Sequence, residues 1–156
     1  MQTLSDIRGI LAAHGVHPKH RFGQNFLHDP NKLRALLDAA DIGTGDVALE
    51  VGPGTGVLTE PMLDAGAAVV AVEIDDDMVG ILRDRIGEDR DGWTLIHDDV
   101  MDGKHALNPA VIDALGDRAF KLVANLPYNI AGPLLATLAT DHPPMTSAIV
   151  MVQREV

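Results

Sequence analysis

From residue 46 to its end, the chain alternates short apolar runs with stretches of helical spacing. Five runs stand out: Val47 to Val51, Ala68 to Ile74, Trp93 to His97, Phe120 to Ala124 and Ala148 to Val152. They are short and valine-rich, which predicts strands rather than helices. Between them the spacing predicts helices over 57–65, 76–86, 109–115 and 130–139. Pro109 opens the third of these, and Gly132-Pro133 sits near the start of the fourth. Strands that are apolar on both faces and separated by helices require a parallel sheet covered on both sides. The expectation is a Rossmann-like, doubly wound α/β fold. Ligands of such folds bind outside the carboxyl ends of the strands, so the residues after each run are where chemistry is expected.

Upstream of that pattern, Ser5 is placed to cap a first helix that runs to His14 and stops at Gly15. Residues 16–28 are polar and irregular. Asp29-Pro30 opens a second helix, with Leu33, Leu36, Leu37 and Ala40 on one face. No internal repeat and no low-complexity stretch is present. A length of 156 residues fits one domain, and 46% hydrophobic residues excludes intrinsic disorder. With no cysteine, disulfide scaffolds and thiolate metal sites are excluded. No run approaches the roughly 20 apolar residues of a membrane span. The start lacks a signal peptide's apolar run. These features predict a soluble, cytoplasmic chain without membrane association. The fifth run ends four residues before Val156. It would be left as an apolar edge strand, so the chain is expected to be a fragment of a longer protein.

Charge is uneven. Acids outnumber bases 23 to 12, for a net charge of −11. Residues 1–34 nevertheless hold five bases and two acids, so the cluster at Lys19, His20 and Arg21 is a local exception. Nucleic-acid binding, if present, must be local rather than driven by net charge. His14, His17 and His20 recur every three residues, but across a Gly and a Pro. They predict surface residues and no metal site.

The residues after the runs carry the functional signal. Glu50-Val51-Gly52-Pro53-Gly54-Thr55-Gly56 joins the first strand to a helix. Glycines there let the backbone approach a ligand, and the helix start adds N–H donors. The spacing is G-x-G-x-G rather than the dinucleotide G-x-G-x-x-G. Glu50 before it suits a cationic ligand better than a pyrophosphate. S-adenosylmethionine, with its sulfonium and ammonium, fits that pattern. Glu73 ends the second strand, where an acid can accept both ribose hydroxyls of a nucleoside. Asp76 and Asp77 read as a solvated helix start. Asp98 and Asp99 end the third strand, and either could accept from an adenine amine. Asn125-Leu126-Pro127-Tyr128 follows the fourth. The Asn125 side-chain oxygen and the Leu126 carbonyl could hold an exocyclic amine. Pro127 fixes the turn, and Tyr128 can stack on a base.

Five segments occur in order: His20 to Leu27 (HRFGQNFL), Glu50 to Gly56, Val72 to Asp75, Asn125 to Ile130 (NLPYNI) and Gln153 to Val156. Together they resemble the ribosomal RNA adenine N6-dimethyltransferases of the 16S, small-subunit type. The resemblance covers roughly residues 19–156. It implies a class I S-adenosylmethionine-dependent methyltransferase fold, truncated before the last strands of its sheet and without a C-terminal helical domain. It divides the chain into residues 1–29, an N-terminal helix with a cofactor- and RNA-contacting segment, and residues 30–156, the methyltransferase domain. It implies dimethylation of two adjacent adenosines near the 3′ end of 16S rRNA, in the 30S subunit, with a role in ribosome biogenesis and a monomeric state. By the same resemblance, Asn25, Leu27, Gly52, Gly54, Glu73, Asp99 and Asn125 contact the cofactor. Asn125, Leu126, Pro127 and Tyr128 then form the catalytic group. Lys19, His20 and Arg21 are the candidate phosphate contacts. Related readings are the 23S rRNA enzyme of the macrolide-resistance type and an assembly factor with secondary catalysis. A nicotinamide oxidoreductase is disfavoured by the glycine spacing and Glu50.

Overall fold

A computed structural model describes residues 2–17, 29–141 and 144–153 of the chain. Five parallel strands form one sheet: β1 (Val47–Val51), β2 (Ala68–Glu73), β3 (Trp93–His97), β6 (Phe120–Pro127) and β7 (Met145–Gln153). Their spatial order is β3-β2-β1-β6-β7. Chain order therefore reverses between β1 and β6, which opens a crevice at their carboxyl ends.

The alternation of side chains along each strand sorts the core into two layers. Leu49 of β1, Val70 of β2 and Leu122 of β6 face α5 (Pro109–Leu115) and α6 (Tyr128–Asp141). Ala48, Ala71 and Val123, one step along the same strands, face α2 (Pro30–Ala40), α3 (Thr59–Asp64) and α4 (Asp76–Ile86). Every residue of β1 is buried, as a strand covered on both faces requires. A third cluster seats α1 (Leu4–Ala13) on α4, with Ile7 and Leu11 against Met78 and Ile81.

Several boundaries differ from the sequence reading. Thr3, not Ser5, caps α1. Its hydroxyl accepts from Asp6 N at 3.2 Å, and the Asp6 carboxylate accepts from Thr3 N at 2.7 Å. That reciprocal pair sets the start two residues earlier than expected. Helix α3 begins at Thr59 rather than Val57, because the glycine turn continues through Leu58. The fourth strand runs on to Pro127 rather than stopping at Ala124. Pairing with β7 continues to Pro127↔Gln153, and α6 follows without a loop. The strand β7 is nine residues long against the five expected. A hairpin of β4 (Met101–Asp102) and β5 (Ala106–Leu107) was not foreseen, since two-residue strands carry no periodicity.

Candidate functional site at the strand ends

The glycine turn is built from its backbone. Gly52, Gly54 and Gly56 have φ of 68°, 58° and 82°, a region that disfavours any side chain. The turn is tied to β2, since Gly52 N donates to Val72 O at 2.9 Å and Gly54 N donates to the Glu73 carboxylate at 3.2 Å. Glu73 also accepts from Asp75 N at 3.0 Å. One buried carboxylate thus joins the turn to the start of α4. Burial pushes the Glu73 carboxyl upward in pKa, opposed by the Asp75 and Gly54 N–H groups.

Glu50 lies beneath this turn, only 1% exposed, and accepts from the Thr59 hydroxyl at 2.7 Å. Burial raises its pKa to about 8, the Thr59 hydrogen bond opposing and the Glu73 charge adding. Burial thus favours the protonated, neutral form of Glu50.

The other acids divide as follows. Asp75 is buried and caps α4, accepting from Asp77 N at 2.9 Å. Asp76 and Asp77 lie in that helix's first turn, as expected, and Asp76 also pairs with His97 at 2.8 Å. Asp98 N donates to Glu73 O at 3.1 Å, which sets the end of β3 beside that of β2. The Asp98 carboxyl is held below its usual range by the Asn108 side chain and by Asp99 N–H. Asp99 accepts from Met101 N at 2.9 Å, and its carbonyl accepts from Asn108 Nδ2 at 2.8 Å. Asp99 lines a groove of about 800 Å³ with Met101, Lys104, Asn129, Ile130 and Pro133, whereas Asp98 does not.

Asn125, Leu126 and Pro127 are the last residues of β6. Pairing with β1 stops at Ala124↔Val51, so Asn125 is level with the start of the glycine turn. The Leu126 side chain is buried in the core, leaving its backbone as the part that can meet a ligand. Pro127 is half-buried, and Tyr128, at the first position of α6, is 69% exposed. The sheet therefore brings Gly52, Gly54, Glu73, Asp99 and the Asn125–Tyr128 group to one end. Asn25, Leu27, Lys19, His20 and Arg21 lie outside the described residues. Among the described residues, no cluster of histidines and acids could hold a metal ion.

The family model for ribosomal RNA adenine dimethylases matches residues 16–156. The chain belongs to that family. It is 40% identical over 156 residues to ribosomal RNA small subunit methyltransferase A of Streptomyces griseus, covering 97% of this chain and 51% of that protein. It is 45% identical over 148 residues to the protein of the same name from Synechococcus sp., covering 91% and 50%. The chain thus spans about half the length of the curated relatives it matches. Among solved structures, a dimethyladenosine transferase from Plasmodium falciparum superposes with a TM-score of 0.66 at 27% identity, covering 83% of this chain and 44% of that one.

The residues present fit the methyl donor of a ribosomal RNA adenine dimethylase, S-adenosylmethionine. A Cβ at Gly52 would meet nothing within 4 Å, so the turn borders open space. The buried acid Glu73, at the end of β2, suits a ribose diol. Ile74, 47% exposed between buried Glu73 and buried Asp75, offers an apolar surface at the same strand end. The sequence reading gave Ile74 no role. The expected run extended through Ile74, whereas β2 ends at Glu73, which leaves Ile74 beyond the strand between two acids. Thr55 and Thr59, both buried, were also passed over, because nothing in their spacing distinguishes them.

Proposed function

We propose that this chain is the cofactor-binding and catalytic part of an enzyme that dimethylates N6 of two adjacent adenosines near the 3′ end of 16S rRNA. The observation that carries the reading is the sheet register, which sets Asn125 level with the glycine turn, two strands from Glu73. The names of the small-subunit relatives favour 16S over 23S rRNA. Partners in this reading are the rRNA and the 30S subunit, with the basic residues 19–21 on phosphates. A role in ribosome biogenesis, a cytoplasmic location and a monomeric state belong to the same reading. Among the described residues, no helix is long and apolar enough to cross a membrane.

Within it, Glu73 holds the ribose hydroxyls, Asp99 the adenine amine, and Asn25 and Leu27 are further contacts to the donor. S-Adenosylmethionine, when bound, supplies a methyl group on a sulfonium that leaves as a neutral thioether. An adenine amine is a poor nucleophile because its lone pair is delocalised into the ring. The Asn125 side-chain oxygen and the Leu126 carbonyl take its two N–H groups and turn the lone pair toward the methyl. As positive charge grows on nitrogen, those two acceptors stabilise it. The methylated nitrogen is strongly acidic, so no strong base is required. Pro127 holds the acceptors in line, and Tyr128 stacks on the extruded base.

The test is methyl transfer from labelled S-adenosylmethionine to 30S particles, with N6,N6-dimethyladenosine identified in the digested RNA. Asn125→Ala should lower turnover by on the order of 10²-fold or more. The fold, read by circular dichroism, should be unchanged. Unchanged turnover in that variant refutes the role of Asn125, and product found only in 23S rRNA refutes the substrate.

A further inference from the structure

Thr55 carries the only polar side chain between Gly52 and Gly56. A turn made of glycines and one proline has few handles by which the rest of the protein can hold it, and glycines add conformational freedom. Thr55 is 1% exposed, and its partner comes from the far end of the chain. Its hydroxyl donates to Gln2 Oε1 at 2.7 Å, and Gln2 Nε2 donates back to the Thr55 carbonyl at 3.1 Å. Gln2 is 7% exposed, so water does not compete for this pair. A reciprocal, buried, two-bond contact across 53 positions is a specific link, not a surface encounter.

The other end of this link is equally well held. Gln2 precedes the capping box of α1, which fixes the direction of the chain there. Helix α1 is seated on α4 through Ile7 and Leu11, and His14 pairs with Asp84 at 3.1 Å. Helix α4 itself is capped by Asp75, whose N–H donates to the Glu73 carboxylate. The contacts close a ring: glycine turn, Gln2, α1, α4, Asp75, Glu73, and back to Gly54 N. The part contributed by α1 lies before the residues matched by the family model, which begin at residue 16.

We infer that Gln2 is a positioning residue for the cofactor site, clamping Thr55 so that the glycine turn keeps its ligand-ready shape. This rests on the reading of the turn as the S-adenosylmethionine site. Gln2 touches no reacting atom; it acts through Thr55 and Gly54. Without it the turn samples other shapes, and ligand binding must select the competent one, which lowers apparent affinity.

The experiment is calorimetric titration of S-adenosylmethionine into the parent chain, Gln2→Ala, Thr55→Val and the double variant. It is read beside thermal unfolding and amide exchange at Gly54 and Gly56. Gln2→Ala, which removes both hydrogen bonds, should bind about tenfold more weakly, and Thr55→Val, which leaves the bond to the Thr55 carbonyl, should lose less. The double variant should be no weaker than Gln2→Ala, because the hydroxyl bond that Thr55→Val removes is already lost with Gln2. Faster exchange should be confined to the turn. Unchanged affinity in both single variants overturns the inference and leaves the cofactor reading standing. Multiplying losses in the double variant, or faster exchange throughout the sheet, also overturns it by making the effect general. A folded parent that does not bind S-adenosylmethionine overturns the cofactor reading and this inference with it.

Discussion

Replacing Glu50 with glutamine should make the protein more stable at alkaline pH, the reverse of what loss of a buried polar contact ordinarily does. Glutamine keeps the shape and still offers an oxygen to the Thr59 hydroxyl, so the 2.7 Å hydrogen bond survives. What it removes is a proton that the folded state holds tightly. The Glu50 carboxyl has its ordinary value of 4.5 when unfolded and about 8 when buried. A folded value above the unfolded one means that the group's contribution is full below pH 4.5. It declines as pH rises and is lost by about pH 8. At about 1.4 kcal/mol per pH unit, that window is worth roughly 5 kcal/mol at its upper limit and about 4 kcal/mol at pH 8. At pH 5 the same arithmetic leaves less than about 1 kcal/mol. The exposed acids titrate in both proteins and cancel in the difference, while the charge of Glu73 enters through the raised Glu50 value. The assay is urea unfolding followed by circular dichroism at pH 5, 6.5 and 8. Parent and Glu50→Gln should nearly coincide at pH 5 and diverge steadily above it, with the variant the more stable. Parallel stability curves across the three values would refute the burial argument. A variant less stable at pH 8 would mean that Glu50 is charged and held by a partner.

Other predictions follow from single contacts. Thr3→Ala should lower stability by about 1 kcal/mol in urea unfolding, by removing the cap of α1, while Ser5→Ala should be close to neutral. Equal effects of the two would contradict the position of the helix start. Tyr128→Ala should leave S-adenosylmethionine affinity unchanged in calorimetry, yet lower methyl transfer to 30S particles by roughly 10- to 100-fold, the worth of one stacked base. Tyr128→Phe should retain transfer, because the ring and not the hydroxyl does the stacking; a Phe variant as inactive as Ala would show that the hydroxyl matters.

The sheet was legible because its central strands, β1, β2 and most of β6, are buried on both faces. Runs such as Val47–Val51 and Ala68–Glu73 are continuous and apolar, and glycine or acid ends each one. The same property places the candidate site, since a parallel sheet presents all its strand ends together. Termini were less legible. Thr3 and Ser5 are both good caps by type, and only the Asp6 side chain, bonded back to Thr3, decides between them. Asn125 to Pro127 read as a loop because Pro usually ends a strand, yet pairing with β7 carries the ladder through them. The state of Glu50 could not be read at all. Its sequence context shows an acid before a glycine turn, while its protonation depends on burial by α3, several residues on. The Gln2–Thr55 contact was invisible for a similar reason, since no local pattern reports a pairing 53 positions apart.

The central claim is that the ends of β1, β2 and β6 hold S-adenosylmethionine for transfer to adenine. Calorimetric titration of the chain with S-adenosylmethionine, beside Glu73→Ala, tests it most directly. The account predicts micromolar binding by the parent and a loss of on the order of 10²-fold in the variant, as expected for two hydrogen bonds to a charged acceptor. Equal binding by both proteins, or none by a parent that circular dichroism shows to be folded, would contradict it.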